Sequence, residues 1–198
     1  MAKRVRDTNA GQSISAWVIL NRRGREVAHV QAYHGNSVTV DVYAMGDEAV
    51  ARNMVAMGTL KKGDPLPYGT AKERAAYDRA HVQQGTAGGY GYDKLTAALS
   101  GLYIDGVRLM DHCEHNEPGT VRLYARYLKD YDARGIQMAD DDDTARAFRE
   151  EWEKKAQKIG ARFANYGIGE RTRAWGSLYP VSGLERLEML GYRVIRAI

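Results

Sequence analysis

Three segments near the start of the chain alternate between apolar and polar positions and are rich in β-branched and aromatic residues. They are residues 13–21, 26–33 and 38–43. The third segment is the most regular, because Val38, Val40 and Val42 alternate with Thr, Asp and Tyr. Turn sequences that contain Gly24 and Gly35 separate the segments. This period of two predicts strands, and the short turns predict an antiparallel meander with one covered face.

After residue 46 the apolar positions recur every three to four residues, which predicts helices. The predicted helices cover about residues 47–57, 70–83, 94–102, 120–134, 144–165 and 183–190. Thr70 with Glu73, and Ser182 with Glu185, have the capping-box spacing that starts a helix. A short hairpin is predicted over residues 103–110 and a closing strand over residues 192–198.

Two of these helices have clear apolar stripes. The stripe of the 120–134 helix is Val121, Tyr124, Leu128 and Tyr131, and that of the 144–165 helix is Phe148, Trp152, Ile159 and Phe163. Arg122, Arg126 and Lys129 lie between the tyrosines of the first helix. This interleaving suits a nucleic-acid or partner surface. The alternative is a tyrosine core with a solvated basic face.

These elements predict an α+β fold, with a small antiparallel β-meander at the N-terminus, several helices packed on one side and a short C-terminal strand. Residues 1–12 are predicted to be a basic flexible arm, and residues 13–198 a single domain. The chain is 44% hydrophobic and 27% charged, which is typical of globular proteins. No apolar run approaches the roughly 20 residues of a membrane span. We therefore expect a cytoplasmic protein with no membrane partner.

Positive charge is concentrated at the start of the chain. Residues 1–25 contain six cationic residues and one acidic residue, Asp7. The cationic residues are Lys3, Arg4, Arg6, Arg22, Arg23 and Arg25. Such a cluster can contact the phosphate backbone of DNA or RNA. The alternative is a solvated tail and turn, because the formal net charge of the whole chain is only +4.

Residues 85–94 form a glycine-rich stretch with four glycines and two tyrosines. Its predicted ligand-binding residues are Gly88, Gly89, Tyr90, Tyr92 and Lys94. Backbone N–H groups here, followed by a helix N-terminus, favour an anion such as phosphate. The pattern is neither a dinucleotide nor a Walker motif, because no strand is predicted before it and no Ser or Thr follows Lys94. The alternative is a packing turn.

The sequence of residues 87–94, Ala-Gly-Gly-Tyr-Gly-Tyr-Asp-Lys, is followed by Ala97-Ala98. This segment resembles one found in small uncharacterised proteins of bacteriophages and other mobile elements. The resemblance implies an accessory protein that acts on host nucleic-acid processing or defence. It implies no catalytic or binding role for any individual residue.

A second group of polar residues lies at positions 111–117. Asp111, His112, Cys113 and His115 are potential ligands or catalytic groups, and His34 at a strand end is a further candidate. Adjacent residues in a short loop seldom all point inward, so no metal and no cofactor are predicted. The alternative is a metal site at His112, Cys113 and His115.

The leading hypothesis is a non-catalytic phage or mobile-element protein that binds DNA, RNA or a host protein that handles nucleic acid. The rival is a small metal- or His-dependent enzyme acting on a nucleotide or another phosphate-containing substrate. Its catalytic residues would be His34, Asp111 and His112. A third interpretation is a protein inhibitor with no ligand of its own, which an exposed apolar or tyrosine-rich patch would favour.

Overall fold

The computed structural model describes residues 13–89, 93–111, 114, 117–136, 143–163 and 178–198. The chain divides into two compact units, one of Met1–Leu109 with Arg193–Ile198 and one of Met110–Tyr192. That residues 13–198 behave as one domain stays a prediction. A five-stranded antiparallel sheet, several helices and a C-terminal strand confirm the predicted α+β class. Within the described ranges, no helix has the length and apolar character to cross a membrane.

The elements are numbered in chain order. The strands are β1 Ser13–Leu20, β2 Glu26–His34, β3 Val38–Ala44, β4 Val82–Ala87, β5 Tyr103–Ile104, β6 Val107–Arg108, β7 Ala161–Phe163, β8 Leu178–Pro180 and β9 Arg193–Arg196. The helices are α1 Asp47–Ala56, α2 Ala71–His81, α3 Lys94–Leu99, α4 Pro118–Ala133, α5 Asp143–Gln157 and α6 Gly183–Met189.

The sheet of the first unit has the strand order β4-β3-β2-β1-β9. Its core face is built from directly paired residues, with Val30 opposite Val42 and Ile19 opposite Ala28. These four side chains are at most 1% exposed. Helices α2 and α3 both contact β3 and β4. The predicted meander and its covered valine face are confirmed.

Strand β4 was not predicted, because the sequence Val-Gln-Gln-Gly-Thr-Ala lacks an apolar alternation. The predicted helix over 70–83 ends instead at His81, although its capping box at Thr70 and Glu73 is confirmed. The side-chain amide of Gln83 explains the strand, since it donates to the carbonyl of Tyr103 at 2.7 Å and accepts from the Tyr103 N–H at 2.8 Å. The expectation that no strand precedes the glycine-rich stretch was therefore wrong.

Helix α1 holds the β5–β6 hairpin. Asn53, which is fully buried, donates to the carbonyl of Ala80 at 3.0 Å and accepts from the Gly106 N–H at 2.8 Å. The neighbouring Arg52 donates through Nε to Asp105, the residue before Gly106 in the hairpin turn. The predicted turn at residues 105–106 is confirmed, and buried polar contacts fix its position on α1.

In the second unit the predicted stripe of α4 was wrong at Val121 and Leu128, whereas Tyr124 and Tyr131 pack against the buried aromatic cluster as predicted. Val121 is 49% exposed and Leu128 is 39% exposed, whereas Tyr127 is 3% exposed. The ring of Tyr127 contacts both Phe148 and Trp152 of α5, with ring centroids 5.6 and 5.7 Å apart. Aromatic packing against α5 therefore rotates α4 so that Tyr127 is at the centre of its buried face.

Helix α5 is shorter than predicted, because it ends at Gln157 and not near residue 165. Gly160 has a φ of +66°, a conformation that stops the helix, and the chain continues as β7 in a pair with β8. Phe148 and Trp152 are buried as predicted, but Phe163 reaches the aromatic cluster from β7.

Candidate functional site

The turn between β1 and β2 presents arginines to solvent. The side chain of Asn21 accepts hydrogen bonds from the backbone N–H groups of Arg23 and Arg25, at 2.9 and 3.1 Å. Gly24 supplies the φ of +75° that closes the turn. Arg22 and Arg23 are both exposed at this ordered turn. The structure therefore places these two predicted ligand-binding residues together at one end of the sheet.

Strand β9 adds a third arginine that sequence reasoning did not identify as a site residue. Arg193 lies directly opposite Leu20, at the end of β1 that leads into the turn. Paired residues of antiparallel strands lie about 5 Å apart, so Arg193 neighbours the turn. It is exposed. The closing strand was predicted, but its pairing with β1 joins residues far apart in the chain. We call Arg22, Arg23 and Arg193 the arginine cluster.

Two carboxylates lie near this cluster. Glu48 is paired with Arg25 at 3.1 Å, and both side chains are more than 60% exposed, so solvent weakens the interaction. A carboxylate oxygen of Glu26 lies 2.7 Å from Nε2 of His29. Four arginines, those of the cluster and Arg25, lie at this corner with the two carboxylates. The corner therefore has an excess of cations, and each arginine offers a planar guanidinium that can bind phosphate through two hydrogen bonds.

The glycine-rich stretch has a packing role at its start. Gly85 pairs with Val40, and a Cβ at this position would overlap the carbonyl group of Ala98 in α3. Gly88 and Gly89 are exposed, and Gly89 has a φ of +92°. Tyr90 and Tyr92 lie outside the described residues. The helix therefore lies directly on the strand at Gly85.

Lys94 and Asp93 both have internal partners. The ammonium group of Lys94 donates to the carbonyl of Asn36 at 3.0 Å and joins α3 to the turn between β2 and β3. Asp93 caps α3, since its carboxylate accepts from the Leu95 N–H at 3.1 Å and from the Thr96 hydroxyl. The helix N-terminus therefore already has an anion, which argues against the predicted phosphate contact there.

Of the catalytic residues of the rival enzyme hypothesis, the structure describes His34 and Asp111. His34 is at the end of β2 in the first unit, and its Nε2 atom is buried with no hydrogen-bond partner in the described parts of the chain. Asp111 belongs to the second unit. His112, Cys113 and His115 lie outside the described residues, as do Lys3 and Arg4. Among the residues described, no group of three His, Cys, Asp or Glu side chains could hold a metal ion.

The side of the sheet opposite the valine face carries a second group of residues that sequence reasoning did not single out. We call it the open face, and its central side chains are His29, Gln31, Tyr33, Asp41, Tyr43 and Gln84. The signal was present in the alternation of β2 and β3, because His29 and Gln31 of β2 and Thr39 and Asp41 of β3 all fall on this side. His34 is an exception, since it pairs with Val38 on the valine face.

The arginine cluster and the open face are thus the two surfaces of the first unit whose chemistry suits a ligand. The cluster offers guanidinium donors for an anion. The open face offers tyrosine rings and side-chain amides, which can stack on and hydrogen-bond a planar polar molecule. Comparison with protein-family models, curated proteins and solved structures found no match for the chain.

Proposed function

We propose that this chain is a cytoplasmic accessory protein of a bacteriophage or another mobile element that binds nucleic acid without catalysing a reaction. A host protein that handles nucleic acid is the other partner of the same proposal. The observation that carries the proposal is the arginine cluster, in which β9 brings Arg193 beside the ordered turn of Arg22 and Arg23. Lys3 and Arg4, which lie outside the described residues, remain predicted ligand-binding residues of this proposal.

The cluster suits a phosphate backbone for two physical reasons. Three guanidinium groups at one exposed corner can displace the cations condensed on a nucleic acid, and that release favours binding at low salt. The fixed turn also limits the entropy that is lost when Arg23 is ordered on a ligand, because Asn21 already holds its backbone.

The proposal is tested by fluorescence anisotropy with labelled single- and double-stranded DNA and RNA at salt concentrations from about 50 to 300 mM. We expect affinity to fall steeply with salt. The triple variant Arg22→Gln/Arg23→Gln/Arg193→Gln should bind more weakly, and its log–log salt slope should be smaller by about 2–3, or about 0.7–0.9 for each lost phosphate contact.

The matched control is Lys61→Gln/Lys62→Gln/Lys72→Gln, which removes the same charge from exposed positions in the loop before α2 and in its first turn. If binding needs only overall positive charge, both triple variants will lose affinity equally, and the arginine cluster is not the site. If the wild-type protein binds none of the four nucleic acids at the lowest salt, nucleic acid is not its ligand.

A further inference from the structure

The open face of the sheet has ring-bearing side chains at regular positions. Tyr43 lies directly opposite His29, and Gln31 lies directly opposite Asp41 in the next row. Tyr33 belongs to the row beyond, and its hydroxyl donates back to Gln31 at 3.1 Å. Burial, the Asp41 carboxylate and Tyr33 together raise the pKa of Tyr43, so its phenol stays neutral at physiological pH. Two tyrosines and an imidazole therefore share one surface.

Three exposed apolar side chains lie at the margins of the open face. Ile14 pairs with Tyr33, Val82 pairs with Tyr43, and Ile195 pairs with Val18, so all three belong to this side of the sheet. They are 46%, 42% and 39% exposed. Together with the tyrosine rings between them, these side chains give the face apolar area that a ligand can cover.

The centre of the open face is polar, which argues against an apolar partner. Asp41 accepts from the Gln84 side chain at 2.7 Å, and Thr39 and Thr86 share a hydrogen bond of 3.3 Å. An apolar helix or sheet laid over this centre would bury the Asp41 carboxylate away from water, which is costly without a compensating partner. The ligand should instead offer hydrogen-bond donors together with flat apolar surfaces.

Charge complementarity identifies the ligand class. Arg193 and Ile195 of β9 pair with Leu20 and Val18 of β1, so these residues belong to the open face. The arginine cluster therefore lies at one end of that face. Nucleobases have flat faces that stack on tyrosine, and their amino groups can donate to Asp41 and Gln31. Their phosphates would lie toward the arginine end. A duplex hides its base faces, so only an unpaired strand can use the tyrosines.

We propose that the open face binds single-stranded nucleic acid by stacking bases on Tyr33 and Tyr43, with the backbone directed to the arginine cluster. This inference rests on the proposed function and specifies its ligand as single-stranded. It predicts that single strands bind more tightly than duplexes of the same length at the same salt concentration.

The test uses two labelled probes of about 12 nucleotides, a single-stranded oligonucleotide and its abasic counterpart, which has the same phosphates but no bases. We expect the abasic probe to bind at least 5-fold more weakly to the wild-type protein. Tyr33→Leu and Tyr43→Leu should each weaken binding of the normal probe by roughly 5- to 150-fold, the range for loss of one stacked base. The abasic probe should bind these variants as it binds the wild type.

Tyr33→Phe and Tyr43→Phe keep the ring and should retain the affinity of the wild type. Tyr68→Leu is the matched control, because Tyr68 is 58% exposed and its hydroxyl contacts Asp47 of α1, away from the open face. Circular dichroism of each leucine variant checks that the sheet has folded.

The outcomes separate this inference from the proposed function. Equal affinity for the normal and abasic probes, with weaker binding by the arginine variant, would leave backbone binding intact and overturn stacking on the open face. No binding of either probe at low salt would overturn both proposals. A dimer in light scattering that Tyr33→Leu/Tyr43→Leu converts to monomer would show that a second copy of the chain covers the face, which also overturns the inference.

Discussion

Substitution of Gly85 by alanine tests whether α3 lies on β4 as the structure places it. A Cβ at residue 85 would overlap the carbonyl oxygen of Ala98 and would be 3.0 Å from its carbonyl carbon. Non-bonded carbons normally approach to about 3.5–4.0 Å. The obstacle is helix backbone and not a flexible side chain, and the oxygen would be only 1.8 Å from the Cβ. The helix α3 would therefore have to move away by more than about 1 Å.

We expect Gly85→Ala to lower the free energy of unfolding by about 2–3 kcal/mol. Overpacking of a well-packed site typically costs about 1–3 kcal/mol, and a rigid backbone neighbour places this site at the upper end. Alanine also restricts the unfolded chain, which offsets about 0.4–1 kcal/mol of the loss. Urea unfolding followed by far-UV circular dichroism measures the net change, and hydrogen exchange of the peptide that spans β4 locates it.

Gly88→Ala is the matched control from the same stretch. Its Cβ would lie 3.7 Å from the Cβ of Ser37, an ordinary contact, so we expect unchanged or slightly higher stability. If Gly85→Ala is within about 0.5 kcal/mol of the wild type, the size of an ordinary surface effect, then α3 does not rest on Gly85. The packing explanation for this glycine would then be wrong.

Two further predictions concern helix starts. Thr70→Ala removes an N-cap whose hydroxyl accepts from the Glu73 N–H at 3.2 Å, and it should lower the free energy of unfolding in urea by about 1 kcal/mol. The side chain of Ser182 makes no cap hydrogen bond, so Ser182→Ala should change the free energy of unfolding by less than about 0.5 kcal/mol. Burial opposes ionisation of Glu117, but donors that include the Thr120 N–H outweigh it and lower the pKa of Glu117. The resulting stabilisation is present above the unfolded pKa of about 4.5 and is lost as pH falls through the lower folded pKa. Acid unfolding curves between about pH 7 and 3 should therefore be shallower for Glu117→Gln, and an unchanged slope would mean that this cap contributes nothing to acid sensitivity.

The strands β1 to β3 were predictable because their evidence is local. Apolar alternation, β-branched residues and short turns all occur within about ten residues of each other. Strand β4 had none of these signals, since its edge position is stabilised by pairing with β3 and by the contact of Gln83 with Tyr103. A strand that depends on partners elsewhere in the chain cannot be recognised from its own composition.

The stripe of α4 was mispredicted at Val121 and Leu128 for a related reason. Tyr124, Tyr127 and Tyr131 share one helix face and their rings contact one another. The sequence does not say which of these rings packs most deeply on α5. The contacts of Tyr127 with Phe148 and Trp152 decide it. Burial raises the pKa of Tyr127 to about 12, as expected for a phenol at the centre of such a cluster.

The candidate site was half predictable. Arg22 and Arg23 stood out because they adjoin a turn, but Arg193 joins them through a pairing between the two ends of the sheet. Lys94 was predicted as a ligand-binding residue on composition alone, whereas its bond to Asn36 gives it a structural role. A cluster of charges in sequence therefore identifies candidates, and strand pairing decides which of them share a surface.

The alternation of β2 and β3 predicted the valine face of the sheet but was not used to interpret the open face. In β3 the valines predicted the strand and the core, and the intervening Asp41 and Tyr43 were given no role. A face that only meets water gains little from tyrosine, because a large ring there leaves apolar area exposed. Tyrosines on β2 and β3, with exposed Ile14 and Val82 at the margins, therefore argue for a ligand that covers them. The polar half of an alternating strand should be examined for rings and amides before it is treated as solvent-facing.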